Sequence, residues 1–120
     1  MKYLILIYDN AQSRERFSGP EGTELMAEMD VLLKEITDSG ELVMTEALAD
    51  PSQTRTIRVV DGAPAVTDGP FAEAKEHLGG FILVDCETPE RAWEIARRFP
   101  SSRFTPLEVR PLMSPGGEEM

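Results

Sequence analysis

Two short segments of this chain, Tyr3 to Tyr8 and Phe81 to Cys86, are apolar on both faces of any strand they form. In the first, Tyr3, Ile5 and Ile7 point one way while Leu4, Leu6 and Tyr8 point the other. In the second, Phe81 and Leu83 oppose Ile82, Val84 and Cys86. A strand with one face in water alternates apolar and polar residues, so a sheet built around these two must be covered on both sides. With 120 residues the chain suits one domain, which we place at residues 1–113 with 114–120 as a flexible tail.

The rest of the chain supplies cover for only one side. Ser18-Gly19-Pro20-Glu21 reads as a helix start, and Leu25, Met29, Leu32, Leu33 and Ile36 then fall on one helical face. Asp38-Ser39-Gly40 ends that helix. Strands are expected over 41–48 and 54–60. Asp61-Gly62, a strong hairpin signal, turns the second of them back through 65–67. Thr88-Pro89 opens a second helix whose stripe is Ala92, Ile95, Ala96 and Phe99, with Trp93 also read as core. Pro100 stops it, and 107–112 forms the last strand. The order is that of an α+β ferredoxin-like βαββαβ sheet with an extra hairpin. Two helices cover one face of such a sheet. Each large side chain left bare on the other face would forgo about 1.5–3 kcal/mol of burial, so a second copy is expected there, making a homodimer.

Composition narrows the function. Twelve Lys and Arg against 22 Asp and Glu give a net charge of −10, which phosphate backbones repel, so no nucleic-acid partner is expected. No apolar run is long enough to span a membrane, and the start of the chain does not read as a signal peptide, so a cytoplasmic location is expected. The single cysteine, Cys86, permits no internal disulfide, and the single histidine, His77, no multi-histidine metal site. No nucleophile elbow, phosphate-binding glycine loop or EF-hand spacing is present, and neither cofactor nor metal is expected.

Three blocks resemble the YCII-related family: the opening MKYLILIY, the run from Thr67 to Glu76 continuing through Leu78-Gly79-Gly80-Phe81, and Glu108-Val109-Arg110-Pro111. The closest likeness is to its DGPF subgroup, named for the tetrapeptide Asp68-Gly69-Pro70-Phe71. The resemblance runs from Met1 to about Met113 and implies a dimeric α/β barrel of largely unassigned role. It also implies a regulatory alternative, since similar proteins occur beside or fused to extracytoplasmic-function sigma factors. Some YCII-like proteins carry a histidine–aspartate pair with the histidine near the start of the first helix. Here that stretch reads Gly19-Pro20-Glu21-Gly22-Thr23-Glu24.

The tetrapeptide is the candidate site. Asp68 at the mouth of a cavity between sheet and helices would act as general base or ligand anchor, with His77 as a weaker partner. Read structurally, Asp68 makes an Asx-turn, Gly69 supplies an unusual φ, and Phe71 plugs the core. Glu73, Lys75 and Glu76 form either a polar wall for a small ligand or a salt-bridged surface, and Tyr8 or Phe71 would line the pocket. Gly79-Gly80 reads as a bulge at a strand entry. Cys86, among apolar neighbours and acids, is expected to be a poor nucleophile. Two functions follow as expectations: acid–base chemistry on a small polar metabolite, of isomerase or decarboxylase type, or a non-catalytic regulatory or binding module acting with a sigma factor.

Overall fold

A computed structural model describes residues 1–71 and 75–114. Strand β1 (Lys2–Asp9) lies at the centre, antiparallel to both β5 (His77–Asp85) and β6 (Leu107–Pro111). Strand β2 (Leu42–Ala47) adds to the far side of β5, giving the antiparallel order β2-β5-β1-β6. Strands β3 (Arg55–Val60) and β4 (Ala63–Asp68) form a separate two-stranded hairpin. Its turn at Asp61 and Gly62 has φ of 50° and 78°, the left-handed pair that matches the twist of the flanking strands.

Helices α2 (Gly22–Asp38) and α3 (Pro89–Arg98) cover one face of the large sheet. The expected stripes are the ones that go inside. Leu32 and Ile36 of α2 and Ala92, Ile95 and Ala96 of α3 pack with Tyr3, Ile5, Ile82 and Val84 into one core. Thr88 caps α3, its hydroxyl accepting the Arg91 amide at 3.3 Å, and Pro89 occupies the first turn, where its missing N–H costs nothing. Arg91 ties α3 to the entry of β2 through a two-pronged contact with Glu41, Nε–Oε2 2.8 Å and Nη2–Oε1 2.9 Å. The sequence order and strand order together make an α+β ferredoxin-like fold.

Three expectations are corrected. A third helix, α1 (Ala11–Ser18), precedes the long one. Asn10 starts it: Asn10 Oδ1 accepts the Ser13 amide at 2.8 Å, and Ser13 Oγ accepts the Asn10 amide at 3.0 Å. That reciprocal box fixes the entry of a helix too polar to show an apolar stripe. Strand β5 begins at His77, four residues before the expected Phe81. Trp93, read as core, sits on the outer side of α3 with 55% of its surface exposed.

Leu4, Leu6, Phe81 and Leu83 lie opposite the helices, outside the core cluster, and stay only partly covered. Met44, paired with Leu83, is 48% exposed on the same face.

Candidate functional site

The register that pairs β1 with β5 also builds a cleft. Along β1 every second side chain faces the helices, and this alternation carries Tyr3, Ile5 and Ile7 into the core and then presents Asp9 at the end of the row. Helix α1 leaves the sheet immediately after Asp9 and roofs it. A cavity of about 580 Å³ results between α1, α2 and the sheet, with Ile7, Phe17, Met29, Leu33 and Phe99 among its apolar walls. That volume lies in the usual range for small-molecule sites.

Asp9 is one of three charged residues on the cleft wall, with Arg14 and Glu46. Its Oδ1 is buried with no hydrogen-bond partner. Burial pushes its carboxyl above the ordinary aspartate range, while the charges of Arg14 and then His77 pull the other way. Arg14, one turn along α1, also lines the cleft and donates from Nη1 to Asp50 Oδ2 at 2.8 Å. Asp50 is itself held ionised by the Ser52 hydroxyl and amide, then by Arg14 and His77. Asp9 and His77 are register partners across β1 and β5.

Glycine makes room for the carboxylate. Pairing shifts by one residue between Ile7–Gly80 and Tyr8–Leu78, so Gly79 is the extra residue of a bulge, as expected from the Gly-Gly step. A Cβ at Gly79 would sit 2.4 Å from Asp9 Oδ2 and 2.8 Å from its Cγ. Only a residue without a side chain tolerates the carboxylate there. Ser101, 4% exposed, lies in the short helical turn Pro100–Arg103 that precedes β6 and also lines the cleft, and its Oγ is also buried without a partner.

The expected site residues fall elsewhere or only partly here. Asp68, expected at the cavity mouth, ends β4 with an 89% exposed side chain and pairs with Arg55 at 3.1 Å. Gly69 takes the positive φ expected of it, 88°, but the tetrapeptide is stitched to β3 rather than to the cleft. The Gly69 amide donates to Thr54 O at 2.8 Å, and Thr56 Oγ1 donates to Gly69 O at 2.6 Å. Phe71, read as a core plug or pocket wall, is 72% exposed, its ring under the Arg58 guanidinium at 4.7 Å. Lys75 is exposed and Glu76 partly buried, while Glu73 lies outside the described residues. His77 is brought to Asp9 and Asp50, not to Asp68. Tyr8 borders the cleft, but its phenol is engaged by Glu108, which raises its pKa. Among the described residues no group of three or more His, Cys, Asp or Glu is placed to hold a metal ion, and no helix is long and apolar enough to cross a membrane.

Asp9 drew no notice in the sequence because Asp-Asn after a strand is ordinary turn chemistry. The signals that mark it are the Asn10–Ser13 capping spacing, which continues the chain as helix, and the glycine pair on the partner strand.

The class is therefore that of a ferredoxin-like domain with a carboxylate in an apolar cleft between sheet and helices. The chain belongs to the YCII-related domain family, whose model matches residues 1–114. It is 32% identical over 114 residues to the uncharacterised protein R00369 of Rhizobium meliloti (strain 1021), covering 93% of this chain and 92% of that one. Its fold is shared with the 5-chloro-2-hydroxyhydroquinone dehydrochlorinase TftG from Burkholderia phenoliruptrix AC1100, solved in complex with 2,5-dihydroxybenzoquinone. That match has a TM-score of 0.53 at 12% identity and covers 98% of this chain and 99% of the other.

Proposed function

We propose that the protein is an acid–base enzyme acting on a small molecule in the Asp9 cleft, with Asp9 as the group that takes and returns the proton. The observation that carries this reading is the partly buried Asp9 on the wall of an apolar cleft, with one of its carboxylate oxygens, Oδ1, buried without a hydrogen-bond partner. An unsatisfied buried carboxylate oxygen is costly to a fold, and it is retained where it meets a ligand. Its raised pKa makes Asp9 a stronger base than a solvated aspartate. Arg14, on the same wall, places positive charge where a developing enolate or phenolate needs it. The reaction class is then isomerisation, in which a proton leaves a hydroxyl or a carbon beside a carbonyl for Asp9 and returns at a different carbon, or decarboxylation, in which the C–C bond to a carboxylate breaks, CO2 leaves and the carbon that keeps the electron pair takes a proton from Asp9. The fold neighbour's ligand, a hydroxylated quinone, belongs to the chemical class that a cleft of this size and apolar lining suits.

Within the family we place the chain in the DGPF subgroup on Asp68 to Phe71. In this reading the tetrapeptide closes the hairpin, and Asp68→Asn leaves turnover unchanged. The reading also includes the homodimer, supported by Leu4, Leu6, Phe81, Leu83 and Met44 on the uncovered sheet face and by Ile57, Val59 and Val66 on the hairpin, each more than 60% exposed. Sedimentation at micromolar concentration tests it: a species of twice the chain mass is expected, and a monomer overturns it.

The functional test is proton transfer itself. With 2,5-dihydroxybenzoquinone in D2O, the protein should accelerate exchange of the ring C–H. Asp9→Asn should remove about 10²–10⁴-fold of that acceleration, the usual share of a positioned general base. An unchanged rate in a folded Asp9→Asn variant would sink the assignment.

A further inference from the structure

Among the described residues that line the Asp9 cleft, Arg14 is the one cation; the other charged groups on the wall, Asp9 and Glu46, are acids. Its place in the chain is not one that helix formation asks for. Arg14 comes directly after the Asn10–Ser13 capping box of α1, near the positive end of the helix dipole. Acids are favoured there and cations are not, yet the first turn of α1 has no acid.

The guanidinium itself is tethered. Arg14 Nη1 donates to Asp50 Oδ2 at 2.8 Å, and Asp50 Oδ1 accepts the Ser52 amide at 3.0 Å where the short helical turn Pro51–Gln53 begins. Both oxygens of Asp50 are thus in use, one fixing the carboxylate to its own turn and the other fixing Arg14. The backbone is held as well, the Arg14 amide donating to Asn10 O at 3.0 Å. With side chains 37% and 53% exposed, the Arg14–Asp50 pair contributes little to stability. Its consequence is orientation: it aims a planar fork of five N–H donors. The bond to Asp50 is the one hydrogen bond that fork makes among the described residues, so Nε and Nη2 keep donors for a ligand, and the exposure of the side chain leaves them within its reach. The charge of Arg14 also acts on the Asp9 carboxylate more strongly than that of His77 or Asp50. Cation and base therefore serve the same small volume.

We infer that Arg14 binds an anionic oxygen of the substrate, a carboxylate or an ionised phenol or enol, that Asp50 is its positioning residue, and that the cleft is thereby selective for small monoanions with an apolar body. The anionic oxygen accepts from the open prongs of the fork, the apolar body lies against walls such as Ile7, Met29 and Leu33, and the proton in play faces Asp9. Hydrogen bonds of this charge-assisted kind are roughly twice as strong as neutral ones. A guanidinium already held in place loses less freedom when the ligand arrives than a mobile one does. The inference rests on the Asp9 reading and adds to it the charge a substrate must carry and the pair of residues that reads it.

The probes are benzoate and benzamide, alike in size and apolar body and different in charge, followed by ligand-observed NMR at neutral pH on wild type, Arg14→Gln, Asp50→Asn and Asp9→Asn. Wild type should bind benzoate about tenfold more tightly than benzamide, the share of one charge-assisted hydrogen bond. Arg14→Gln should bring benzoate down to the benzamide level. Asp50→Asn keeps an oxygen for the Ser52 amide and loses the second oxygen that holds Arg14, so benzoate should weaken by about threefold to tenfold, the cost of ordering one long side chain on binding. The sign separates positioning from charge: acting through its charge alone, Asp50 would oppose the anion, and its loss would tighten benzoate. Asp50→Ala reads the same sign should Asp50→Asn fail to fold. Equal affinity of wild type for the two probes, or binding of neither, overturns the anion site. A benzoate preference that survives in Arg14→Gln overturns Arg14 as its binding group, and tighter or unchanged benzoate in the Asp50 variants overturns the positioning role. Asp9→Asn removes a negative charge and should keep the preference, whose loss in that folded variant would also count against Arg14. Proton exchange that persists in Asp9→Asn while the preference holds would sink the Asp9 reading alone.

Discussion

Gly79→Ala is the substitution whose effect follows most directly from the geometry. The added Cβ would lie 2.4 Å from Asp9 Oδ2 and 2.8 Å from Cγ, about 1 Å inside ordinary contact, whereas Asp9 Cβ at 3.4 Å is undisturbed. The clash is therefore with the carboxylate alone. An aspartate is too short to yield by flexing, so it must rotate out of its place or push β1 and β5 apart. Overpacking of this kind costs about 1–3 kcal/mol, and for a domain of this size each kcal/mol lowers Tm by about 4 °C. Removing the carboxylate removes the conflict: in an Asp9→Ala background Gly79→Ala should cost less than about 0.5 kcal/mol, because alanine itself is no worse than glycine in a strand interior. The thermal-denaturation cycle over the four proteins should then show a coupling energy of about 1–2 kcal/mol. Gly79→Ala should also suppress proton exchange on the quinone by about 10²-fold, the penalty for a catalytic group misplaced by an ångström. Equal costs of Gly79→Ala in both backgrounds would refute the close approach, and with it the shape of the site.

Two further outcomes follow from groups remote from the cleft. Glu41, gripped by Arg91 and then by Ser39, has its carboxyl pulled down to about 2. A depressed pKa contributes stability that is complete above the unfolded value of about 4.3 and is lost as pH falls towards about 2. Glu41→Gln should accordingly cost about 1–2 kcal/mol at pH 7, after solvent screening, and flatten the acid limb of the stability profile; an acid limb that superimposes on that of wild type would contradict the pairing. The Cys86 thiol is pushed up to about 11, first by burial and then by the Glu41 charge. Alkylation by iodoacetamide at pH 8 should therefore run about 10²-fold slower in the folded protein than in denaturant, and equal rates would show the thiol to be accessible and ionised.

What the residues disclosed and what they withheld divide along physical lines. Helices α2 and α3 were legible because they bury a stripe, Leu25 to Ile36 in one and Ala92 to Phe99 in the other, and burial writes a period into the sequence. The hairpin was legible because Asp61-Gly62 is one of few pairs that accept positive φ together. Helix α1 was not: of AQSRERFS, Phe17 is the one large apolar residue, and the helix stands on its capping box and its seat over the cleft. Trp93 was misplaced because a tryptophan on an amphipathic helix is usually inside, yet here it falls one position off the stripe. The site was the least legible part. The tetrapeptide at Asp68 is the most distinctive string in the chain, and in the structure Gly69 within it takes a positive φ. Asp9 looks like punctuation in the sequence. Its burial depends on β5 beginning at His77, on a bulge at Gly79 and on a helix over it, none of which is local to Asp9.

The most direct test of the Asp9 cleft is a carbon-13 carboxyl titration of Asp9, free and then saturated with 2,5-dihydroxybenzoquinone. In the free protein the midpoint should lie above the ordinary aspartate value of about 3.9, with wild-type stability falling relative to Asp9→Asn as pH rises through it, because the folded state holds that proton more tightly than the unfolded chain. Ligand should move both the shift and the midpoint. An Asp9 that titrates at or below the ordinary value and does not respond to the quinone would contradict the assignment of this carboxylate as the proton-transferring group.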